Sequence, residues 1–248
     1  MKIFRKNRRN LIRLGKFKTY LVYAFGEIVL IVIGILIAWK INTINEARKN
    51  RIVEVKIYNS LYEELNANLH TLDGIIDEYP RTITSLQNTL NFVGLPDEKI
   101  TKENKLQIAN ISEREVNLID GSVNSIISTS KFELLESETL KELITLYPAK
   151  ITQFNLQDQK IRYIISEKIK PVVEQKLSLV DLLPEHDSIY DNIRKYGQKS
   201  NFQALLNDKG YQNAMIDRIV QTEELLSIAK NLRSKTNTLI TNLDKEID

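Results

Sequence analysis

Twenty-one residues near the N-terminus constrain this chain more than any other feature: Leu21 to Ile41 are apolar apart from Glu27 and Lys40. At about 1.5 Å per residue, a helix of that length spans roughly 31 Å, close to the ~30 Å hydrocarbon core of a bilayer. A buried helix of a soluble protein is rarely so long and so uniformly apolar. A cleavable signal peptide has an apolar core of about 7–15 residues and a small-residue cleavage site. Here the run is longer and closes on Ile37-Ala38-Trp39-Lys40. Residues 20–41 therefore read as an uncleaved signal anchor that crosses a membrane once. Tyr20, Tyr23 and Trp39 stand near its ends, where amphipathic rings prefer the interface, and Lys40 can snorkel outward.

The flanks give an orientation. Residues 1–19 hold eight basic side chains and no acid, so with a net charge of +3 for the whole chain the rest carries −5. Past the span, residues 42–60 hold only Arg48, Lys49, Arg51 and Lys56. Excess Lys/Arg marks the cytoplasmic side, which puts the N-terminus inside and the body outside an inner membrane, in the periplasm of a bacterial cell. Lys2, Arg5, Lys6, Arg8, Arg9 and Arg13 then serve as contacts to anionic lipid. A nucleic-acid role for the same cluster is less economical beside a span that begins at residue 20.

Glu27 is the anomaly in the span. Glu27, Ile31, Gly34, Ala38 and Ile41 follow helical steps of four and three, and Ala24 extends the line by one turn. Gly34-x-x-x-Ala38 lets two backbones approach closely. This face reads as a helix–helix seam in which Glu27 makes interhelical hydrogen bonds. The plainer alternative is a snorkelling glutamate among small residues common in membrane helices.

Residues 58–248 read as an antiparallel bundle of about four main helices, so the fold class is all-α. Gly and Pro are scarce, which disfavours a β-rich fold. Tyr58, Tyr62, Leu65, Leu69, Leu72, Ile76, Tyr79, Ile83, Leu86, Leu90 and Val93 alternate steps of four and three, as in a bundled helix. This stripe is out of phase with the span seam, so residues 42–57 form a membrane-proximal helix or a hinge. Pro80 predicts a kink or short break. Tyr79–Thr84 (YPRTIT) has an echo in Tyr147–Thr152 (YPAKIT). Gly94-Leu95-Pro96-Asp97 ends the first arm. Ser112–Glu115 and Ser130–Glu133 have capping-box form. A long helix is expected from Ser137 to about Leu179, punctuated at Pro148 and Pro171, and a last one from Tyr211 to about Ile247.

Chemistry-bearing motifs are few. The chain has no cysteine, which excludes disulfides, Cys-ligated metals and thiol nucleophiles. His70 with Asp73 offers two metal ligands, too few for a structural site, and Glu185-His186-Asp187 reads as a solvated turn. Glu63-Glu64 and Glu223-Glu224 read as solvated faces. No phosphate loop, Gly-x-Ser-x-Gly or His-Glu-x-x-His occurs. The expectation is a non-enzymatic protein without metal, cofactor or nucleic acid. Its partners would be the bilayer and either a second copy of itself or another membrane protein, with the chain serving as an oligomeric scaffold or accessory subunit. A membrane-anchored sensor that signals through a partner is the alternative; an oligomeric pore is a third, with Glu27 as its only polar lining. Asn124–Pro148 reads as a helix–turn–helix corner, with a ligand or partner surface there as the second possibility.

Lys16–Asn50 and Ser128–Tyr147 carry a resemblance. The opening Tyr-x-x-Tyr-Ala-x-Gly-Glu-Ile and the run Ile-Gly-Ile-Leu-Ile-Ala resemble a bacterial family of small single-span membrane proteins classed as a domain of unknown function. The matching positions are Tyr20, Tyr23, Ala24, Gly26, Glu27, Ile28, Gly34 and Ala38, followed by Asn42, Asn45 and Glu46. The family often has Ser-Gly-x-Leu where this chain has Ser130-Lys131-Phe132-Glu133. The resemblance implies an inner-membrane protein with an external helical domain, and no activity.

Overall fold

A computed structural model describes residues 17–109, 111, 115–178, 180, 183 and 188–247. The basic head Lys2–Arg13, the Ser112–Arg114 part of one capping box and the turn around His186 lie outside the described residues. The chain divides into two compact units, residues 1–56 and 57–248. Among the described residues there is no strand, and the all-α reading holds.

The first unit is the N-terminal part of helix α1 (Phe17–Leu90), which takes in the whole apolar run. Residues 42–57 are helical without interruption. Local bonds support this stretch: Thr43 Oγ1 donates to the Trp39 carbonyl at 3.0 Å, Asn42 Nδ2 to Glu46 Oε1 at 3.1 Å, and Arg51 pairs with Glu54 at 2.8 Å.

The second unit is a bundle of three long helical arms. They are the remainder of α1, then α4 (Glu138–Tyr163) continued by a π-helical turn (Ile164–Ile169) and α5 (Lys170–Lys176), and finally α8 (Lys209–Ile247). Short helices fill the connections: α2 (Lys102–Ala109), α3 (Gly121–Ile127), α6 (Asp191–Tyr196) and α7 (Phe202–Leu206). The contacts fix the directions. Tyr147 meets Thr236 while Gln157 meets Gln221, so α8 runs antiparallel to α4. Asn68 meets Tyr147 near one end, and Tyr79 feels the Asp158 charge further along, so α1 and α4 run parallel. The expected up-and-down order therefore changes in one place. A crossover through α2 and α3 carries the chain back along α1 before α4 starts.

The apolar periodicity of α1 is real but rotated. Tyr58, Leu65, Leu72, Tyr79, Ile83 and Leu86 are buried as expected, whereas Tyr62 and Val93 are exposed, and Leu69, Ile76 and Leu90 sit at the edge. The other half of the buried line is Leu61, Asn68 and Ile75. Glu64 and Asn68 on this face are polar, so a count of apolar positions shifts the stripe toward its flank. On α8 the expected line Tyr211, Met215, Ile219, Leu225, Ala229, Leu232, Leu239 and Leu243 is buried throughout.

Three prolines are handled in two ways. Pro148 lies inside α4 and Pro80 inside α1, and neither breaks its helix. Pro80 itself is exposed. The Tyr-Pro echo is structural as well. Tyr79 and Tyr147 are both buried, and Thr84 and Thr152 each donate to the proline carbonyl four residues back at 2.9 Å. Pro171 has a larger effect. The arm widens into the π turn just before it, with Lys170 N–H bonding back to the Ile165 carbonyl, and α5 then ends at Lys176 rather than Leu179. A π turn absorbs the donor that proline lacks.

Caps agree in part with the sequence. Ser137 accepts from Leu140 N–H as the N-cap of α4. Ser130–Leu134 is only a 3-10 turn, because the Thr129 hydroxyl bonds back to the end of α3 instead of capping forward. Gly94 breaks the chain after α1 with a φ of 81°, a left-handed value that favours glycine. Asp208 Oδ1 accepts from Tyr211 N–H at 2.9 Å, which starts α8 two residues earlier than expected. Asp208→Ala is expected to cost about 1 kcal/mol, read as a lower denaturant midpoint for the bundle with unchanged helicity.

Candidate interaction surfaces

The span face comes first. Ala24, Glu27, Ile31, Gly34, Ala38 and Ile41 line up along α1, and all but the half-buried Ala24 are exposed within this chain. A Cβ placed on Gly34 would meet nothing within 4 Å, so no intrachain contact explains that glycine. None of the most apolar window of the helix is buried. Tyr23 and Trp39 are 62% and 65% exposed near its two ends, Lys40 is exposed, and Tyr20 is half-buried. A long apolar helix left uncovered in this way is compatible with a membrane anchor.

The second feature is a polar clamp inside the bundle that sequence reading missed. Asn68 is fully buried. Its Oδ1 accepts from Ile119 N–H at 2.7 Å, and its Nδ2 donates to the Ile119 carbonyl at 2.6 Å and to Tyr147 Oη at 3.3 Å. Tyr147 continues the chain to Thr236 Oγ1 at 3.0 Å. One turn away, the Glu64 carboxylate accepts from Ser122 N–H at 2.6 Å and Val123 N–H at 3.2 Å, capping α3 from another helix. Glu63 is the solvated member of its pair and Glu64 is not, which corrects the reading of both as exposed. The signal for it was an acid on the core side of the stripe. Glu223 and Glu224 are exposed as expected.

Further along, a chamber of about 420 Å³ opens between α1, α2 and α8, walled by Thr82, Ser85, Thr89, Gln107 and the buried Arg218. Tyr211 borders it. Burial together with the nearby Asp158 carboxylate pushes the Tyr79 hydroxyl up to about 12, and burial pushes Tyr211 to about 12. Tyr147 is also raised by burial, against the pull of its hydrogen bonds.

The remaining candidates resolve simply. His70 is exposed and Asp73 pairs with Arg233 of α8, so the two do not form a ligand pair. Among the described residues no three His, Asp or Glu side chains gather as a metal-binding group. At the Asn124–Pro148 corner the Ser128 and Thr129 hydroxyls bond to carbonyls of α3, so they end that helix.

One family profile covers residues 27–171, more than half of the chain. The chain belongs to this family of unknown function, DUF6090. The DUF6090 stretch starts at Glu27 and ends at Pro171, so it takes in most of the apolar run, the contacts of Asn68 and Glu64 to the crossover, and the second arm through the π turn. Helix α8 lies beyond it. No curated protein and no solved structure matches the chain.

Proposed function

We propose that this DUF6090 chain is a non-enzymatic, single-pass protein of the bacterial inner membrane, acting through protein–protein association as an oligomeric scaffold or accessory subunit. Its N-terminus lies in the cytoplasm, its basic head contacts anionic lipid, and its helical domain stands in the periplasm. One observation carries the reading: the small-residue face with Glu27 is uncovered in the single chain, although Gly34 and Ala38 leave room for a second backbone. A second copy of the chain is the partner that needs no further component.

The test is size in a mild detergent. The wild-type chain is expected to run as an oligomer, and Glu27→Gln with Gly34→Leu should shift it toward monomer while circular dichroism stays the same. Unchanged size in the double variant would remove the span from the interface. The sensor alternative is favoured by the polar chamber at Arg218. It predicts a small polar ligand that raises the melting temperature of the full chain.

A further inference from the structure

The outer groove between α4 and α8 is sorted by charge. Two hollows of about 840 and 270 Å³ run end to end along it and share Gln153, Glu224 and Ile228. The wall formed by α4 and the π turn carries Lys150, Lys160 and Lys168, whereas the α8 wall carries Asp217 and Glu224. Among the described residues that line these hollows, no acid stands on the first wall and no base on the second. The floor is closed by Gln157, whose Nε2 donates to the Gln221 carbonyl at 3.0 Å and to its Oε1 at 2.9 Å. Leu156 and Tyr163 are 55% and 59% exposed there. Lys168 already pairs with Asp217 at 3.0 Å across one end of the groove.

We infer that this groove is a self-association surface for the extramembrane domain, occupied by the same groove of a second copy. A two-fold interface repeats one patch on both partners. With the axis across the groove, α4 would face α4 and α8 would face α8, which sets lysine against lysine and carboxylate against carboxylate. With the axis along the groove, α4 of each copy faces α8 of the other, and every basic residue meets the acidic wall. The charge pattern selects the second arrangement. It also sets the two copies of each wall parallel. Leu156 and Tyr163 are covered in the process. The inference extends self-association to residues outside the span, so it and the span seam can fail independently.

The lack of cysteine makes the test clean. Gln153→Cys and Ser227→Cys chains, each otherwise full length and differently tagged, are co-expressed and oxidised in native membranes. The two positions lie on opposite walls of one hollow. The expected result is a mixed disulfide at least about fivefold more abundant than either homodimer, reduced about fivefold by Lys150→Glu with Lys160→Glu and partly restored by adding Glu224→Lys. Unchanged circular dichroism shows that the charge variants still fold. Dominant homodimers would overturn the arrangement. Absence of any cross-link, or insensitivity to the charge changes, would overturn self-association through the groove in favour of another occupant. Repeating the experiment in the Glu27→Gln, Gly34→Leu background separates the two surfaces: the mixed disulfide is expected to persist there, and its loss would reduce the groove to a consequence of the span.

Discussion

Asn68→Ala should lower the stability of the bundle by about 3 kcal/mol, the larger part of it from unmade hydrogen bonds. The side chain is fully buried and serves the Ile119 N–H, the Ile119 carbonyl and Tyr147 at once. Its removal leaves two backbone groups of the crossover without their partner and a small cavity beside Tyr147. Asn66 is the control. It lies on the same helix and donates only to the Tyr62 carbonyl, so Asn66→Ala should stay within about 0.5 kcal/mol of wild type. Denaturant midpoints of the full chain in detergent measure both. Equal midpoints for the two variants would show that Asn68 does not hold the crossover in place.

Alkali should unfold the domain through its tyrosines. Tyr79 and Tyr211 titrate near 12 in the folded chain, against 10 for an ordinary tyrosine, because burial disfavours the phenolate. A folded pKa above the unfolded one means the folded state holds its proton more tightly. The associated stability is fully present below about pH 10 and is lost as pH rises through about 12. The gap between the folded and unfolded values corresponds to roughly 2–3 kcal/mol for each group. Tyr211→Phe removes one of these titrations, so its loss of stability between pH 9 and pH 12 should be smaller by about that amount. The check is a pair of denaturant midpoints, at pH 9 and pH 12, for both proteins. An identical alkaline loss in wild type and variant would contradict the assignment.

How much of this is legible in the sequence depends on the residue. The long apolar helix that opens α1 is legible because an unbroken apolar run has few physical outcomes. The helix α8 is legible because its core face is almost wholly apolar. The α1 face is only half legible: Asn68 and Glu64 belong to the core but look like surface residues until the crossover that they bind is known. The π turn is foreshadowed by Pro171, although the proline alone fixes neither its position nor its width. The lysines and acids of the outer groove are ordinary helix-surface charges in sequence. They become a sorted pattern only once Gln157 is set against Gln221 and the two helices have a register. The family match covers the stretch in which most of the apolar run and the contacts of Asn68 and Glu64 to the crossover lie.

The most direct test of the account is which side of the membrane each end occupies. Asn7→Cys and Thr241→Cys each give a single thiol in a chain that otherwise has none. A membrane-impermeant maleimide applied to cells with a permeabilised outer membrane should label Thr241→Cys at once and Asn7→Cys only after the inner membrane is broken. Labelling of Asn7→Cys on intact inner membranes, or protection of Thr241→Cys, would contradict a periplasmic domain held by one outward-running span.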